Sequence, residues 1–174
     1  KLETICHLIN TGSPETGMHK LLFICSPNNP SGTVIPLSDI AKIAGHFEGI
    51  TVVDEAYHDY SKEVSAVTLM NEFPKLVVLR TMSKAWGLAG VRIGMAVAQR
   101  EVVDAMNKVK YPYNLSIVAQ ESAMEALDHV DRVRAEVAKT LAEREKLAQQ
   151  LTRFSFVEEI IPRQANFLLV RVRD

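Results

Sequence analysis

The residues best equipped for chemistry lie in Thr81-Met82-Ser83-Lys84-Ala85-Trp86-Gly87-Leu88-Ala89-Gly90-Val91-Arg92-Ile93-Gly94. A lysine placed just after an apolar strand can use its amine to form a Schiff base with a carbonyl. Burial or nearby positive charge makes the free amine available. Thr81 and Ser83 are neutral hydroxyl donors and Arg92 a two-pronged cation, a set suited to a phosphate dianion. An aldehyde and a phosphate on one ligand describe pyridoxal 5′-phosphate. The plainer alternative is a surface lysine after a strand, with Arg92 in an ordinary ion pair. The stretch by itself leaves both open.

The elements that must position these residues are legible from periodicity. Leu21-Leu22-Phe23-Ile24-Cys25 is a continuous apolar run, expected of a parallel strand covered on both faces. It stops at Ser26-Pro27-Asn28-Asn29-Pro30-Ser31-Gly32, a loop by composition. Pro36-Leu37-Ser38-Asp39 opens a helix with Ile40, Ile43, Ala44 and Phe47 on one face and Gly49 as its stop. Ile50 to Val53 is a second strand, ending in Asp54-Glu55-Ala56-Tyr57. Residues 58–74 give a mixed signal. Leu76 to Leu79 leads to Lys84, and Val91 to Ala98 reads as a fourth strand, too close behind for a crossover and therefore antiparallel or at an edge. Helices are expected over 101–110 and 116–127. A long helix carries the apolar stripe Val130, Val133, Val137, Leu141, Ala148 and Leu151; packing along a domain surface is favoured over a coiled coil, because Arg144 falls inside the seam. Short strands follow near 156–157 and 165–172. Residues 11–17 are a loop by composition. The expectation is an α/β fold: a mainly parallel sheet sandwiched by helices, then the start of a small α+β domain.

Composition narrows the function. A 47% hydrophobic and 24% charged chain of 174 residues has the balance of a soluble globular protein. A net charge of −1 without a basic run gives no support to nucleic-acid or anionic-membrane binding. No apolar run reaches the roughly 20 residues of a membrane helix. Cys6 and Cys25 have no metal or redox spacing and are expected to be reduced thiols in a cytoplasmic protein, and the scattered histidines make no metal pair. The chain opens on a lysine and stops in an apolar, strand-like stretch, so a fragment is expected.

In open parallel sheets, ligands sit beyond the carboxyl ends of the strands. Here those ends carry Asn28-Asn29, Asp54 with Tyr57, and Thr81 to Lys84. Separately, Asn-Pro is an ordinary turn, Asp an ordinary cap and Tyr an ordinary core residue; together they fit one cofactor.

S-P-N-N-P-S-G, V-D-E-A-Y and T-M-S-K-A-W-G-L-A-G-V-R-I-G, in this order, resemble the fold type I pyridoxal-phosphate aminotransferases of class I/II. The likeness is greatest to the histidinol-phosphate aminotransferase branch, whose C-S-P-N-N-P-[TS]-G and A-N-F-L-L-V-R segments are also present. The resemblance covers nearly the whole chain, most specifically residues 25–98. It implies that Lys84 holds pyridoxal 5′-phosphate, Asp54 meets the pyridine nitrogen, Tyr57 and Asn29 contact the ring oxygen, and Thr81, Ser83 and Arg92 contact the phosphate. It implies residues 1–128 as the C-terminal part of the cofactor-binding large domain, and 129–174 as a connecting helix and the start of the small domain. The implied reaction moves an amino group between glutamate and a phosphorylated keto compound, in a cytoplasmic homodimer of amino-acid biosynthesis. A related lyase or decarboxylase, such as a threonine-phosphate decarboxylase, shares these motifs, as does the effector-sensing domain of some transcription regulators. Family members are about twice this length, and their glycine-rich phosphate turn, ring-stacking aromatic and substrate-carboxylate arginine have no counterpart here. The chain alone is therefore expected to be inactive. Thr81 stands where many relatives have serine.

Overall fold

The computed structural model describes residues 2–11 and 18–173. The elements in order are α1 (Leu2–Thr11), β1 (Leu21–Cys25), α2 (Leu37–His46), β2 (Ile50–Asp54), β3 (Leu76–Thr81), β4 (Gly94–Ala98), α3 (Arg100–Val109), α4 (Ile117–Asp128), α5 (Val130–Leu151), β5 (Val157–Ile160) and β6 (Val170–Val172), with short 3-10 turns at 58–60, 66–69 and 89–91. The loop expected at 11–17 lies outside the described residues, except that Thr11 ends α1.

Strands β1 to β4 form a four-stranded sheet in sequential order. The first three are parallel and β4 is antiparallel, as its short connection to β3 requires. The fourth strand starts at Gly94 rather than at Val91. Residues 89–91 form a 3-10 turn and Arg92 adopts a left-handed backbone with φ 61°, which ends extended geometry before pairing begins. Similarly, α2 ends at His46, with Phe47 already extended, so Gly49 belongs to the turn into β2.

One face of the sheet carries the main core. Ile24, Val53, Leu76 and Val78 pack there with Ile40 and Ile43 of α2, and Cys6 and Ile9 of α1 join the edge. Alternation puts Leu21, Phe23 and Cys25 on the opposite face of β1, where they are exposed, Phe23 at 62%. The apolar run led to an expectation of cover on both faces; among the described residues α2 and α1 cover one.

Two smaller clusters hold the site loops. Met82, Ile93 and Ala119 pack with Trp86, Leu88, Val91 and Ala123, fastening the 81–94 loop to α4. Tyr57, Tyr60 and Ala165 pack with Val137, Leu141 and Phe167, fastening the β2 end to α5. The long helix therefore lies along the domain, and the seam arginine has a use: Arg144 Nη1 donates to the Ala165 carbonyl. Beyond α5, β5 and β6 form a separate antiparallel pair.

Candidate functional site

The parallel register sets the frame. Cys25 pairs with Asp54, and Asp54 with Leu79, so β1 and β2 finish level, β3 runs on to Thr81, and the three following loops share one rim. Each loop is then pinned by its own sequence. In the 26–32 loop, the Ser26 hydroxyl accepts the Ile35 N–H at 2.9 Å. The Asn28 N–H donates to Thr33 and the Asn28 carbonyl accepts from Gly32. Asn29 is thereby presented at the rim.

After β2, Asp54 Oδ1 accepts the Ala56 N–H at 2.9 Å, an Asx-type turn that directs the chain off the sheet. The second carboxylate oxygen retains acceptor capacity. Tyr57 is 8% exposed, yet its hydroxyl accepts from Asn29 Nδ2 at 3.1 Å. Lys84 Nζ stands 5.2 Å from the Tyr57 ring centroid, and the Phe167 ring meets Tyr57 edge-on at 5.2 Å. Asn29, Tyr57 and Lys84, far apart in sequence, are thus brought into one contact chain beside Asp54.

The remaining candidates are organised differently. Thr81 Oγ1 donates to the Ile93 carbonyl at 3.2 Å and accepts the Ser83 N–H at 3.1 Å. In this conformation the threonine hydroxyl shapes the loop that presents Lys84. Ser83 is half-buried beside it. Arg92 is exposed, and its Nη1 donates to the Ala89 carbonyl at 3.0 Å. Within the same loop, Met82 N donates to Ile93 and Leu88 N to Met82, so the two ends of the loop are tied together.

Glu55, not singled out from sequence, is the strongest tether of the rim. It is 3% exposed; its carboxylate accepts from Ser65 Oγ and from Ala66 N, both at 2.7 Å. Arg80 Nε stands 2.9 Å from Glu55 Oε2, an ion pair without hydrogen-bond alignment, and Arg80 Nη1 reaches Asp59 at 3.5 Å. A buried charge needs such partners. The pair joins the residue after Asp54 to the residue before Thr81. His58 Nδ1 lies 3.6 Å from Glu55. Burial lowers the His58 pKa; Glu55 pulls it upward and Arg80 adds to the lowering. The signal that could have found the pair is an acidic residue after one buried strand and a basic one ending its neighbour. Burial also raises the Tyr60 pKa, with Asp59 adding to it. For Cys25, exposed on its outer side, partial desolvation comes first and the Asp54 carboxylate second, both raising the thiol.

Among the described residues no group of three His, Cys, Asp or Glu side chains is placed to hold a metal ion, and no helix is long and apolar enough to cross a membrane. What the rim offers is an exposed amine, a polar pair on an aromatic ring, a carboxylate and a cationic loop.

A mainly parallel sheet flanked by helices places the molecule among the α/β proteins. The family model for aminotransferase class I and II matches residues 1–174, and the chain belongs to that family. The histidinol-phosphate aminotransferase of Parabacteroides distasonis is 46% identical over 153 residues, which is 88% of this chain and 44% of the relative. The chain thus spans less than half the length of the curated relatives it matches. Histidinol-phosphate aminotransferase from Sinorhizobium meliloti, solved in complex with pyridoxal-5′-phosphate, superposes with a TM-score of 0.85 at 24% identity, covering 98% of this chain and 45% of that one. L-threonine-O-3-phosphate decarboxylase from Porphyromonas gingivalis gives 0.80 at 24% identity, covering 95% and 51%. At such identity the likeness is one of fold.

Proposed function

We propose that the full-length protein is a pyridoxal-phosphate-dependent aminotransferase of histidinol-phosphate type, exchanging an amino group between glutamate or 2-oxoglutarate and a phosphorylated amino or keto compound. The observation that carries this reading is the Asn29–Tyr57–Lys84 contact chain at the rim where Asp54 ends the adjacent strand. Kinship supports the substrate class, through relatives of that name at 41% and 46% identity.

The donor set fits the cofactor group by group. When bound, pyridoxal phosphate supplies a carbonyl for amine exchange and a ring that accepts electrons. Lys84 would anchor the cofactor covalently, and its Nζ would be placed to hold or move the proton at the substrate Cα. The Asp54 carboxylate holds a proton at the pyridine nitrogen. Asn29 Nδ2 and the Tyr57 hydroxyl bind the ring oxygen. Arg92, Ser83 and Thr81 would hold the phosphate; Arg92 would give up the Ala89 carbonyl, and Thr81 the Ile93 carbonyl, for stronger charge-assisted contacts.

Residues 1–128 then form part of the cofactor-binding domain, and 129–174 the helix and first strands of a smaller one. The reading includes a cytoplasmic homodimer acting on small amino and keto acids in amino-acid biosynthesis, with the 174-residue chain inactive by itself. The test is borohydride reduction of the cofactor-loaded full-length protein, peptide mapping, and an assay of glutamate-dependent amino transfer. Pyridoxyl label on Lys84 with transfer to a phosphorylated keto compound is expected. Label on Lys20, Lys42 or Lys108 defeats the reading, and CO₂ release from a phosphorylated amino acid shifts it to decarboxylation.

A further inference from the structure

We infer that Gln164 is a positioning residue: it latches the segment 163–167 across two site loops and thereby sets the environment of the Lys84 amine. Its Oε1 accepts from Ser61 Oγ at 2.8 Å and from the Lys62 N–H at 2.9 Å. Because a backbone N–H can only donate, the second contact fixes which end of the amide is oxygen. The Nε2 end then faces Glu63 Oε1 at 3.4 Å. The Gln164 backbone N–H donates to the Gly32 carbonyl at 2.6 Å. One residue therefore joins the loop that carries Asn29 to the loop that follows Tyr57, about a hundred positions away in sequence.

The neighbourhood is built for this approach. Gly32 has φ +70°, and a Cβ there would stand 2.8 Å from the Cβ of Arg163, so the loops meet only across a glycine. From the other side, Arg144 donates to the Ala165 carbonyl and Arg163 Nη2 meets Glu145 at 2.9 Å, both on α5. Ala165 is fully buried between these grips. Two residues further on, Phe167 meets the Tyr57 ring, which holds the Asn29 amide at its hydroxyl and stands beside Lys84 Nζ. A glutamine suits the post because it accepts and donates at once. A glutamate in its place accepts from Ser61 and Lys62 but faces Glu63 as a like charge.

The inference rests on the proposed function only in treating Lys84 as the reactive amine, so its test uses no cofactor. In the full-length protein, hydrogen exchange of the Lys62 amide and the rate of Lys84 labelling by trinitrobenzenesulfonate, read by peptide mapping, are measured. The variants are Gln164→Ala, Gln164→Glu, and Gln164→Glu with Glu63→Gln. Gln164→Ala should speed Lys62 exchange by about tenfold or more and change the rate of Lys84 labelling by about fivefold. Gln164→Glu should do the same at neutral pH. The double variant restores a donor facing an acceptor and should return both readouts to within about twofold of the parent. Unchanged exchange overturns the latch. Faster exchange with an unchanged rate of Lys84 labelling, or no recovery in the double variant, overturns the positioning role. A pyridoxyl label found on another lysine defeats the proposed function and leaves the exchange and labelling results standing.

Discussion

The two sides of the rim differ in who supplies the contacts. On the Tyr57 side the protein supplies them: the ring is buried, its hydroxyl is engaged by Asn29, Phe167 packs against it in a T-shaped pair, and the Glu55–Arg80 tether holds the strand ends beside it. On the Arg92 side the loop is open. Arg92 is exposed with a left-handed backbone, and a Cβ added at Gly87 or Gly90 would meet nothing within 4 Å. A non-glycine residue at positive φ costs about 1 kcal/mol or more; the next residue, Ile93, is buried against Met82 and Ala119 and offsets it, while the Arg92 side chain stays outside. The difference teaches that the Tyr57 side is preorganised, while the Arg92 side is cationic and accessible.

The comparison is broken most severely at Lys84. Lys84→Ala should lower glutamate-dependent turnover of the full-length protein by about 10³-fold, in the range for removing a positioned acid–base group. Thermal unfolding should stay close to that of the parent, because the side chain is exposed. Asp54→Ala should cost about 10²-fold or more in turnover while some cofactor still binds, since the phosphate donors are untouched. A loss under about twofold, or roughly 0.4 kcal/mol of transition-state stabilisation, assigns Asp54 to the Ala56 turn alone.

Removing the tether tests the built side through stability. Glu55→Ala leaves Arg80 without its buried partner and should cost about 3 kcal/mol in urea unfolding, the lower end for breaking such a pair because Arg80 keeps some water. On the open side, Arg92→Ala should leave unfolding nearly unchanged. Its effect should appear in cofactor affinity, about 10- to 100-fold weaker by equilibrium titration, as expected for one charge-assisted contact.

The smallest effect is a slope. His58 is held below its ordinary pKa, so the unfolded chain binds its proton more readily. Its neutral form contributes stability that is whole above the ordinary histidine value of about 6.5 and lost as pH falls through the lower folded value. His58→Gln should flatten the fall in urea midpoint below that pH, with little change at pH 8.

How much of this was legible depended on whether a signal was local. The strands announced themselves as apolar runs, and the rim residues as polar types placed where those runs stop. The antiparallel β4 followed from a connection too short to cross over. Its start did not, because the left-handed Arg92 is a conformation of one residue and periodicity is blind to it. Glu55 was read as one of several polar residues ending β2; only the register with β3 brings Arg80 opposite and makes the carboxylate a buried partner. Gln164 carried no pattern at all, since its bonds close a loop of about a hundred residues. The exposed face of β1 shows the converse failure: an apolar run states an appetite for burial, not what satisfies it.

Helix α5 has a mechanical consequence. Its 22 residues make a rod roughly 33 Å long at 1.5 Å per residue. Val137 and Leu141, about its middle, bear on the Tyr57 cluster, while Arg144 and Glu145 farther along grip the segment that latches the loops. The rod is therefore a lever with its fulcrum at the site. A tilt of about five degrees moves a point 15 Å along it by about 1.3 Å, a displacement of the size that decides whether reacting groups stay aligned. The stiffness of one helix thus ties the placement of the β5–β6 pair to the geometry around Lys84.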